Sequence, residues 1–305
     1  MAAPGTRTLT GTRTSSQLRG VAVTLRRPDF GYGRDIPRVW HDGGIAVTAF
    51  WNALSIAAPL LEAEFIRDAA RLEGRLESED QVRELRSFIR QEGTHASLHR
   101  RFNDLLEGWG YPVEACQAPV RRVLKVLART SSAFRCAVAL SGEHFIGEMG
   151  DIVLTRPEVL ETAGDDRVTR LWLWHSYEEV EHKAALFDAF TAVHGRGPDA
   201  YLYRIAGLAV AVDVLVVVIP LTVARLLRED GAALRPGEWA ALGRYLFVTP
   251  GLLRGRSRAV FQFLRPGFHP WTYLDNAALL AERREDLVDP SWEVPETRSR
   301  PGDAS

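Results

Sequence analysis

The sequence has little cysteine and no excess of charge of either sign. Its 305 residues include two cysteines, Cys116 and Cys136, which are too few for a disulfide framework or a cysteine-based zinc or iron–sulfur site. The 38 Lys and Arg residues balance 39 Asp and Glu residues, so the chain lacks the basic surface of a general nucleic-acid-binding protein. We therefore expect a cytoplasmic protein that has no nucleic acid as a partner.

Both ends of the chain have little apolar sequence. Residues 1–27 contain five arginines, no acidic residue and no apolar core of the kind that a secretory signal requires. The residues from Pro290 onward are rich in proline and in charged side chains. We predict disordered tails over 1–35 and 286–305, and a single folded domain over 36–285.

Alternating strand patterns are also nearly absent. Between the tails, apolar residues recur at i, i+3 and i+4, and clusters of glycine and proline separate long stretches of this kind. This periodicity predicts an all-α fold. The predicted helices span about 42–75, 79–108, 117–155, 165–194, 200–229, 237–264 and 270–284.

The second predicted helix carries a Glu-x-x-His motif. Glu92, His95 and His99 lie at i, i+3 and i+7, so their side chains share one face of the helix. A single Glu-x-x-His on a helix is common by chance. This motif alone therefore does not indicate a metal site.

The fourth predicted helix carries the same motif again. His175, Glu179 and His182 lie at i, i+4 and i+7, so this face also presents two imidazoles and one carboxylate. The two copies lie at matching depth in the second and fourth of four long helices. Their recurrence makes a metal site a much better explanation than chance.

The other two long helices each carry a lone carboxylate on an apolar face, Glu62 on the first and Glu143 on the third. A buried carboxylate is costly unless a cation or hydrogen bonds compensate it. Two helices with Glu-x-x-His and two with a single Glu form the arrangement that holds two iron or manganese ions in a helical bundle. We therefore predict a four-helix bundle with a dinuclear metal site and additional C-terminal helices. The predicted core ligands are Glu62, Glu92, His95, Glu143, Glu179 and His182.

Two further histidines leave two interpretations open. His99 and His175 either add nitrogen ligands to the site or hydrogen-bond to the ligands, and we include both among the candidates. Between the neighbours Glu178 and Glu179, only Glu179 has the i, i+3 spacing to His182, so Glu179 is the preferred ligand.

Three other polar residues near the motifs have simpler interpretations. Glu64 and Glu181 point away from the ligand faces, and we expect both to be solvated. His144 follows Glu143 directly and points to another side of the helix. We expect His144 to pack in the interior or to hydrogen-bond to a ligand.

The fifth predicted helix is unusually apolar. From Ile205 to Ala224 the polar residues are Asp213 and Thr222, and Pro220 interrupts the run. Its length admits a membrane span, but a charge at the middle of a bilayer is costly. We favour a helix buried at the back of the bundle, with Asp213 supporting a ligand histidine or pairing with an arginine. Membrane contact and the wall of a pocket for an apolar substrate are the alternatives.

Together these motifs resemble those of a bacterial family usually labelled predicted metal-dependent hydrolases, a ferritin-like helical group. The resemblance covers about residues 40–265. It rests on Glu62-x-x-Phe65, Phe88-Ile89-x-Gln91-Glu92-x-x-His95-x-x-x-His99, Phe102-Asn103, Glu143-His144-Phe145, and Trp174-His175-x-x-Glu178-Glu179-x-Glu181-His182-Lys183.

The resemblance implies a ferritin-like fold and non-haem diiron chemistry. Characterised relatives are similar to O2-activating hydroxylases of secondary metabolism, such as antibiotic biosynthesis, including hydroxylases of terpenoid acyl-thioesters. The implied cofactors are two Fe ions, with O2 as co-substrate. The implied partners are a hydrophobic acid or its coenzyme A thioester, and an electron donor such as ferredoxin with its reductase. A second copy of the chain, in a homodimer, is a further candidate partner, and the sequence leaves the oligomeric state open.

Hydrolysis is the alternative activity. Two metal ions, Mn or Zn in that case, would lower the pKa of a bound water and polarise an ester, thioester or amide carbonyl. The sequence has no Gly-x-Ser-x-Gly motif that would support a serine nucleophile. Iron storage, a third interpretation, favours acidic channels, which the arginine-rich tails and the apolar helix do not provide.

Overall fold

The computed structural model describes residue 11 and the ranges 13–160 and 165–294. Within these residues the chain is helical and has no strand, so the predicted all-α, ferritin-like fold is confirmed. The α-helices are α1 (Ile45–Glu73), α2 (Glu79–Gly108), α3 (Val113–Leu127), α4 (Ser132–Thr155), α5 (Arg167–His182), α6 (Ala185–His194), α7 (Pro198–Asp213), α8 (Ile219–Glu229), α9 (Pro236–Phe247), α10 (Ser257–Phe263), α11 (Pro270–Tyr273) and α12 (Ala277–Leu287).

The bundle consists of α1, α2, α4 and α5. Helix α1 packs along α2, α4 packs along α5, and the two pairs pack on each other through α1 with α4 and α2 with α5. Side-chain caps fix where two of these helices begin. Ser78 Oγ accepts a hydrogen bond from the Gln81 backbone at the start of α2, and Ser131 Oγ does the same for Phe134 at the start of α4.

Several predicted helices are divided in the structure. The predicted helix over 117–155 is two helices, because residues 128–131 form a turn before the Ser131 cap. The predicted helix over 165–194 breaks at Lys183 and Ala184, and a loop over 248–256 divides the one predicted over 237–264. The apolar periodicity continues across such short breaks, so it does not reveal them.

Close helix packing depends on two glycines. A Cβ atom on Gly207 of α7 would lie 2.5 Å from the backbone oxygen of Ala137 in α4. A Cβ atom on Gly150 of α4 would lie 2.8 Å from the backbone oxygen of Ser176 in α5. Only glycine permits these backbones to approach so closely, and the second approach lies beside the ligand positions of α5.

The apolar helix predicted over 200–229 is one continuous rod, but the prediction of its burial is wrong. It consists of α7, a π-helical turn at Val214–Val218 and α8. Helices Ile45–Glu73 and Pro198–Glu229 are both long and apolar enough to cross a membrane, but the apolar window is 72% buried in the first and only 39% in the second. Asp213 is exposed, so it supports no ligand histidine.

The described parts of both tails are packed, contrary to the predicted disorder over 1–35 and 286–305. Arg26 and Glu293 form an isolated antiparallel bridge, so the described parts of the two tails lie side by side at this point. Phe30 and Val288 are buried with exposures of 4% and 6%. Single apolar side chains in polar segments hold these ends on the bundle, and such isolated contacts leave no periodic signal. Residues 1–10, 12 and 295–305 lie outside the described residues.

Candidate metal centre

The four bundle helices bring seven of the eight predicted ligands together in the interior. The first group consists of Glu62, His95 and His175, and the second consists of Glu92, Glu143, Glu179 and His182. Within each group the potential ligand atoms all lie within 4.8 Å of one another. We call these seven residues the Glu/His cluster.

Helical spacing places the ligands of α5 in one row. His175 Nε2 lies 2.7 Å from Glu179 Oε1, and His182 Nε2 lies 3.2 Å from Glu179 Oε2. Spacings of four and three residues put these side chains on successive turns of the same face. Helix α2 uses the same spacing, and His95 Nδ1 lies 3.4 Å from Glu92 Oε1.

Glu179 lies between the two groups. Its Oε1 atom faces His175 and also His95 Nδ1, at 3.2 Å, while its Oε2 atom faces His182. Burial alone would raise its pKa, but His182, His175 and His95 outweigh burial and hold the pKa of Glu179 well below its usual value. Glu179 would therefore offer one carboxylate oxygen to each of the two ligand groups.

Several polar atoms of the cluster are buried without a well-formed hydrogen bond. Glu62 Oε2, both carboxylate oxygens of Glu92 and of Glu143, and His95 Nδ1 form no hydrogen bond of good geometry among the described residues, although imidazole and carboxylate atoms of the cluster lie 3.2–3.4 Å apart. Each such atom costs on the order of 1–3 kcal/mol when it is left unpaired. Metal ions at the cluster would satisfy all of them, so the residues present fit a metal site.

The charges of the cluster also favour the binding of cations. Burial first, then the neighbouring carboxylates, raises the pKa of Glu62 well above its usual value and the pKa of Glu143 to about 8. The pKa values of His95 and His182 are raised despite burial, because carboxylates surround both rings. Four carboxylates would balance two divalent cations, and this balance favours a dinuclear site.

Hydrogen bonds outside the cluster orient its imidazoles. His95 Nε2 lies 3.0 Å from Glu178 Oε2, which directs Nδ1 of the same ring into the cluster. His182 Nδ1 lies 2.9 Å from Gln91 Oε1, which directs its Nε2 inward. Contacts of this kind fix the ring and raise its basicity as a ligand. Glu178 therefore orients a histidine, while Glu179 holds the ligand position that the spacing favours.

His99 is the candidate ligand that the structure leaves outside both groups. Its Nε2 atom lies 2.7 Å from His175 Nδ1, and its Nδ1 atom lies 2.8 Å from Ser55 Oγ. Burial, followed by the charges of His175 and His95, holds the pKa of His99 well below its usual value. Of the two interpretations, the geometry favours a hydrogen-bonding role for His99 and a ligand role for His175.

Arg26 takes part in the site although the sequence pattern gives no sign of it. Its guanidinium is fully buried and lies 2.9 Å from Glu178 and 2.8 Å from Glu181. The prediction that Glu181 is solvated is therefore wrong, since this side chain is buried against the arginine of a distant segment.

Two remaining predictions agree with the structure. His144 stacks on Phe263 with 4.7 Å between ring centroids, and it lies outside both ligand groups. Its Nε2 atom lies 3.2 Å from the backbone oxygen of Ala259, so its role is packing. Glu64 is partly exposed and pairs with Arg67 on the surface of α1.

An apolar cavity of about 360 Å³ reaches the Glu/His cluster. Glu62, His175 and Glu179 form part of its wall, so the metal centre is accessible from this side. Glu148 and Arg256, which also line it, pair with each other at 3.2 Å. The apolar wall includes Phe50, Leu54, Ala58, Leu61, Phe145, Met149, Trp172, Leu215, Val216, Ile219 and Leu253.

Comparison with known proteins identifies the family. No curated protein and no solved structure matches the chain. A family model described as predicted metal-dependent hydrolase matches residues 24–273, which is most of the chain and includes every residue of the cluster. The chain therefore belongs to the family of predicted metal-dependent hydrolases.

Proposed function

We propose that this protein is a diiron monooxygenase that hydroxylates an unactivated C–H bond of a hydrophobic acid or its acyl-thioester. The family and the Glu/His cluster support a metal-dependent enzyme. Hydroxylation of an apolar substrate is proposed because an apolar cavity ends on Glu62, His175 and Glu179.

The donor set of the cluster supports iron. Four carboxylates and three imidazoles on four helices match the ligand chemistry that suits iron and manganese in helical bundles. Two bound iron ions would supply the redox chemistry that O2 activation needs. Glu62, Glu92, Glu143 and Glu179 would hold them with His95, His175 and His182.

The cavity supports an apolar substrate. Its wall would hold a hydrocarbon beside Glu62 and Glu179, and the buried surroundings would keep water from the reacting carbon. Insertion of one oxygen atom consumes one O2, two electrons and two protons, and releases one water. The electrons must come from an external donor, for which a ferredoxin is the proposed partner.

Hydrolysis is the second candidate, because the family carries that description. A metal-dependent hydrolase needs a nearby general base and polar groups that recognise the scissile bond. The cavity wall offers Glu148, but this carboxylate pairs with Arg256 and lies 3.5 Å from Tyr273 Oη. The largely apolar wall therefore supports hydroxylation better than hydrolysis.

Isotope labelling distinguishes the two activities. The iron-loaded protein would be given reduced ferredoxin and a panel of hydrophobic acids and their coenzyme A thioesters, once with ¹⁸O2 and once with H₂¹⁸O. The proposal predicts a hydroxylated product that carries ¹⁸O from O2. Product formation without O2, with ¹⁸O taken from water, would overturn the proposal and establish hydrolysis.

A cavity-filling variant tests where the substrate binds. Ala58 lines the cavity one turn before Glu62, so Ala58→Phe should fill part of the space and lower turnover at least tenfold without lowering metal content. The control is Ala233→Phe, on a partly exposed loop away from the cavity. Unchanged turnover in Ala58→Phe would contradict substrate binding in this cavity.

A further inference from the structure

The helix rod Pro198–Glu229 exposes large apolar side chains beside the cavity. Leu215, Val216, Val217 and Leu221 have exposures of 38%, 63%, 44% and 57%. Their neighbours Val214 and Val218 are buried against the bundle, so one face of the rod packs and the other faces outward. A contiguous apolar face of this kind on a folded protein marks a site of interaction.

A second segment extends the exposed apolar surface. Phe247, Val248, Leu253 and Phe261 have exposures of 58%, 54%, 39% and 67%. Leu253 lines the same cavity as Leu215 and Val216, so the two segments meet where the cavity reaches the surface. We call these eight residues the apolar rim: Leu215, Val216, Val217, Leu221, Phe247, Val248, Leu253 and Phe261.

The chain segment that carries the second part of the apolar rim has positive charges only. Residues 239–274 contain five arginines and neither Asp nor Glu. Four of these arginines are exposed, and none of the four forms an ion pair with a described residue. They are Arg244, Arg254, Arg258 and Arg265. Apolar side chains bordered by unpaired arginines complement the acyl chains and the phosphates of an anionic lipid surface.

The surroundings of the rod favour contact with a membrane surface over a span. Gly207 lies against Ala137 of α4, so the inner face of the rod is occupied by protein. Asp213 is exposed in the middle of the rod, where a charge is costly in hydrocarbon but not at the level of the headgroups. The geometry therefore fits a protein that lies on one leaflet.

We propose that the apolar rim and its arginines bind the surface of an anionic lipid bilayer. When the protein is bound in this way, the mouth of the cavity opens toward the acyl chains. Leu215, Val216 and Leu253 lie at this mouth. A substrate dissolved in the bilayer then reaches the Glu/His cluster without crossing water. This last step rests on the proposed function, whereas binding to the bilayer does not.

Vesicle flotation of the full chain tests the binding without any assay of activity. The probes are vesicles of phosphatidylcholine alone and vesicles that also contain phosphatidylglycerol. We expect stronger binding to the phosphatidylglycerol vesicles, and weaker binding to them at high salt, because ions screen the arginines. Absence of binding to both vesicle types would overturn the proposal.

Substitutions locate the binding surface. Arg254→Gln with Arg258→Gln should weaken binding to the anionic vesicles about thirtyfold, from about 1 kcal/mol for each arginine. Val216→Ser should weaken binding about fivefold to both vesicle types. The matched controls lie elsewhere on the surface and should bind as the wild type does. They are Arg83→Gln with Arg100→Gln, and Leu18→Ser.

One further substitution should strengthen binding to the vesicles. Asp213→Asn removes the exposed negative charge of the rod and should strengthen binding to anionic vesicles severalfold. Equal binding by the wild type and by all rim variants would overturn the proposal. A stable dimer in light scattering that Val216→Ser dissociates, together with no vesicle binding, would also overturn it and make the rim an interface between two copies.

Discussion

Glu143 lies in the interior, and neither of its carboxylate oxygens forms a hydrogen bond of good geometry among the described residues, although its Oε2 atom lies 3.3 Å from His182 Nε2. Burial, followed by the charges of Glu92 and Glu179, raises its pKa to about 8. Ionisation of this carboxyl group is therefore penalised in the metal-free protein, and the group is largely protonated at neutral pH. A bound cation would remove this penalty, so Glu143 connects stability with metal binding.

We predict that Glu143→Gln stabilises the metal-free protein and weakens metal binding. A carboxyl group whose pKa is raised in the folded state lowers the stability of the protein as the pH rises from 4.5, its usual pKa, to about 8. Glutamine does not titrate, so the variant should have no advantage in stability below pH 4.5. Above pH 8 the free energy of unfolding of the metal-free variant should exceed that of the metal-free wild type by on the order of 2–4 kcal/mol, measured by thermal unfolding.

When metal is added, the wild type should become more stable than Glu143→Gln. The wild type should gain stability from two divalent ions, and the variant should gain less because it lacks one ligand charge. Equal unfolding temperatures of the two metal-free proteins above pH 8 would contradict this interpretation of Glu143.

Gln91 tests whether contacts outside the cluster affect metal binding. Its Oε1 atom lies 2.9 Å from His182 Nδ1, and its Nε2 atom lies 2.7 Å from Glu181 Oε2. We predict that Gln91→Ala weakens metal binding about 10- to 100-fold, because the His182 ring loses its fixed orientation. Competition with a chelator of known affinity measures the change.

The control for Gln91 is another side-chain amide, Gln117, which is partly buried. Gln117→Ala removes a side chain that donates to the backbone oxygen of Ile56, away from the cluster, and metal affinity should not change. If both variants bound metal as tightly as the wild type, Gln91 would have only a structural role.

Among the single elements, the apolar rod approaches α4 closely at Gly207. Any side chain there would meet the backbone of α4 at Ala137, within 2.6 Å of both the carbonyl carbon and its oxygen. No side chain therefore fits between the backbones of α7 and α4 at this point. Helix α4 also carries Glu143, so this contact supports the helix that positions a ligand.

We predict that Gly207→Ala destabilises the protein by about 1–3 kcal/mol, because the added methyl group forces α7 away from α4. Gly243→Ala in α9 is the matched control. A Cβ atom there meets nothing within 4 Å, and alanine favours a helix, so stability should rise by about 0.5–1 kcal/mol. Urea unfolding of both variants measures the difference, and a neutral Gly207→Ala would contradict the close approach.

The bundle helices could be predicted from sequence because their ligands recur at helical spacing. Glu92 with His95, and Glu179 with His182, mark faces that must meet around cations, and the structure brings these faces together. The exposure of the rod around Val216 could not be predicted. An apolar run looks the same whether protein or lipid covers it.

In the molecule as a whole, residues 25–27 pair with residues 292–294 beside the acids that adjoin the Glu/His cluster. The Arg27 backbone nitrogen donates to the Trp292 backbone oxygen at 2.8 Å, and the Val294 nitrogen donates to the Leu25 oxygen at 3.0 Å. This pairing holds Arg26 over Glu178 and Glu181. Sequence periodicity could not predict it, because the partners are far apart in the chain and no repeated pattern links them.

We predict that Arg26→Met destabilises the protein by about 3–5 kcal/mol, because two buried carboxylates lose their cation. Metal affinity should fall as well, since Glu178 orients His95. Arg27→Met changes an exposed side chain and is the control. Denaturant unfolding with and without metal separates the two effects, and equal stability of the two variants would contradict the role of Arg26.

We propose that the Glu/His cluster binds two metal ions that react with O2. The most direct test is the iron content and Mössbauer spectrum of protein that is loaded anaerobically with ferrous iron and then exposed to O2. The expected result is two irons per chain that become an antiferromagnetically coupled ferric pair, and loss of this pair in His182→Ala with unchanged helicity. One iron or none per chain, or an unchanged spectrum in His182→Ala, would contradict the claim.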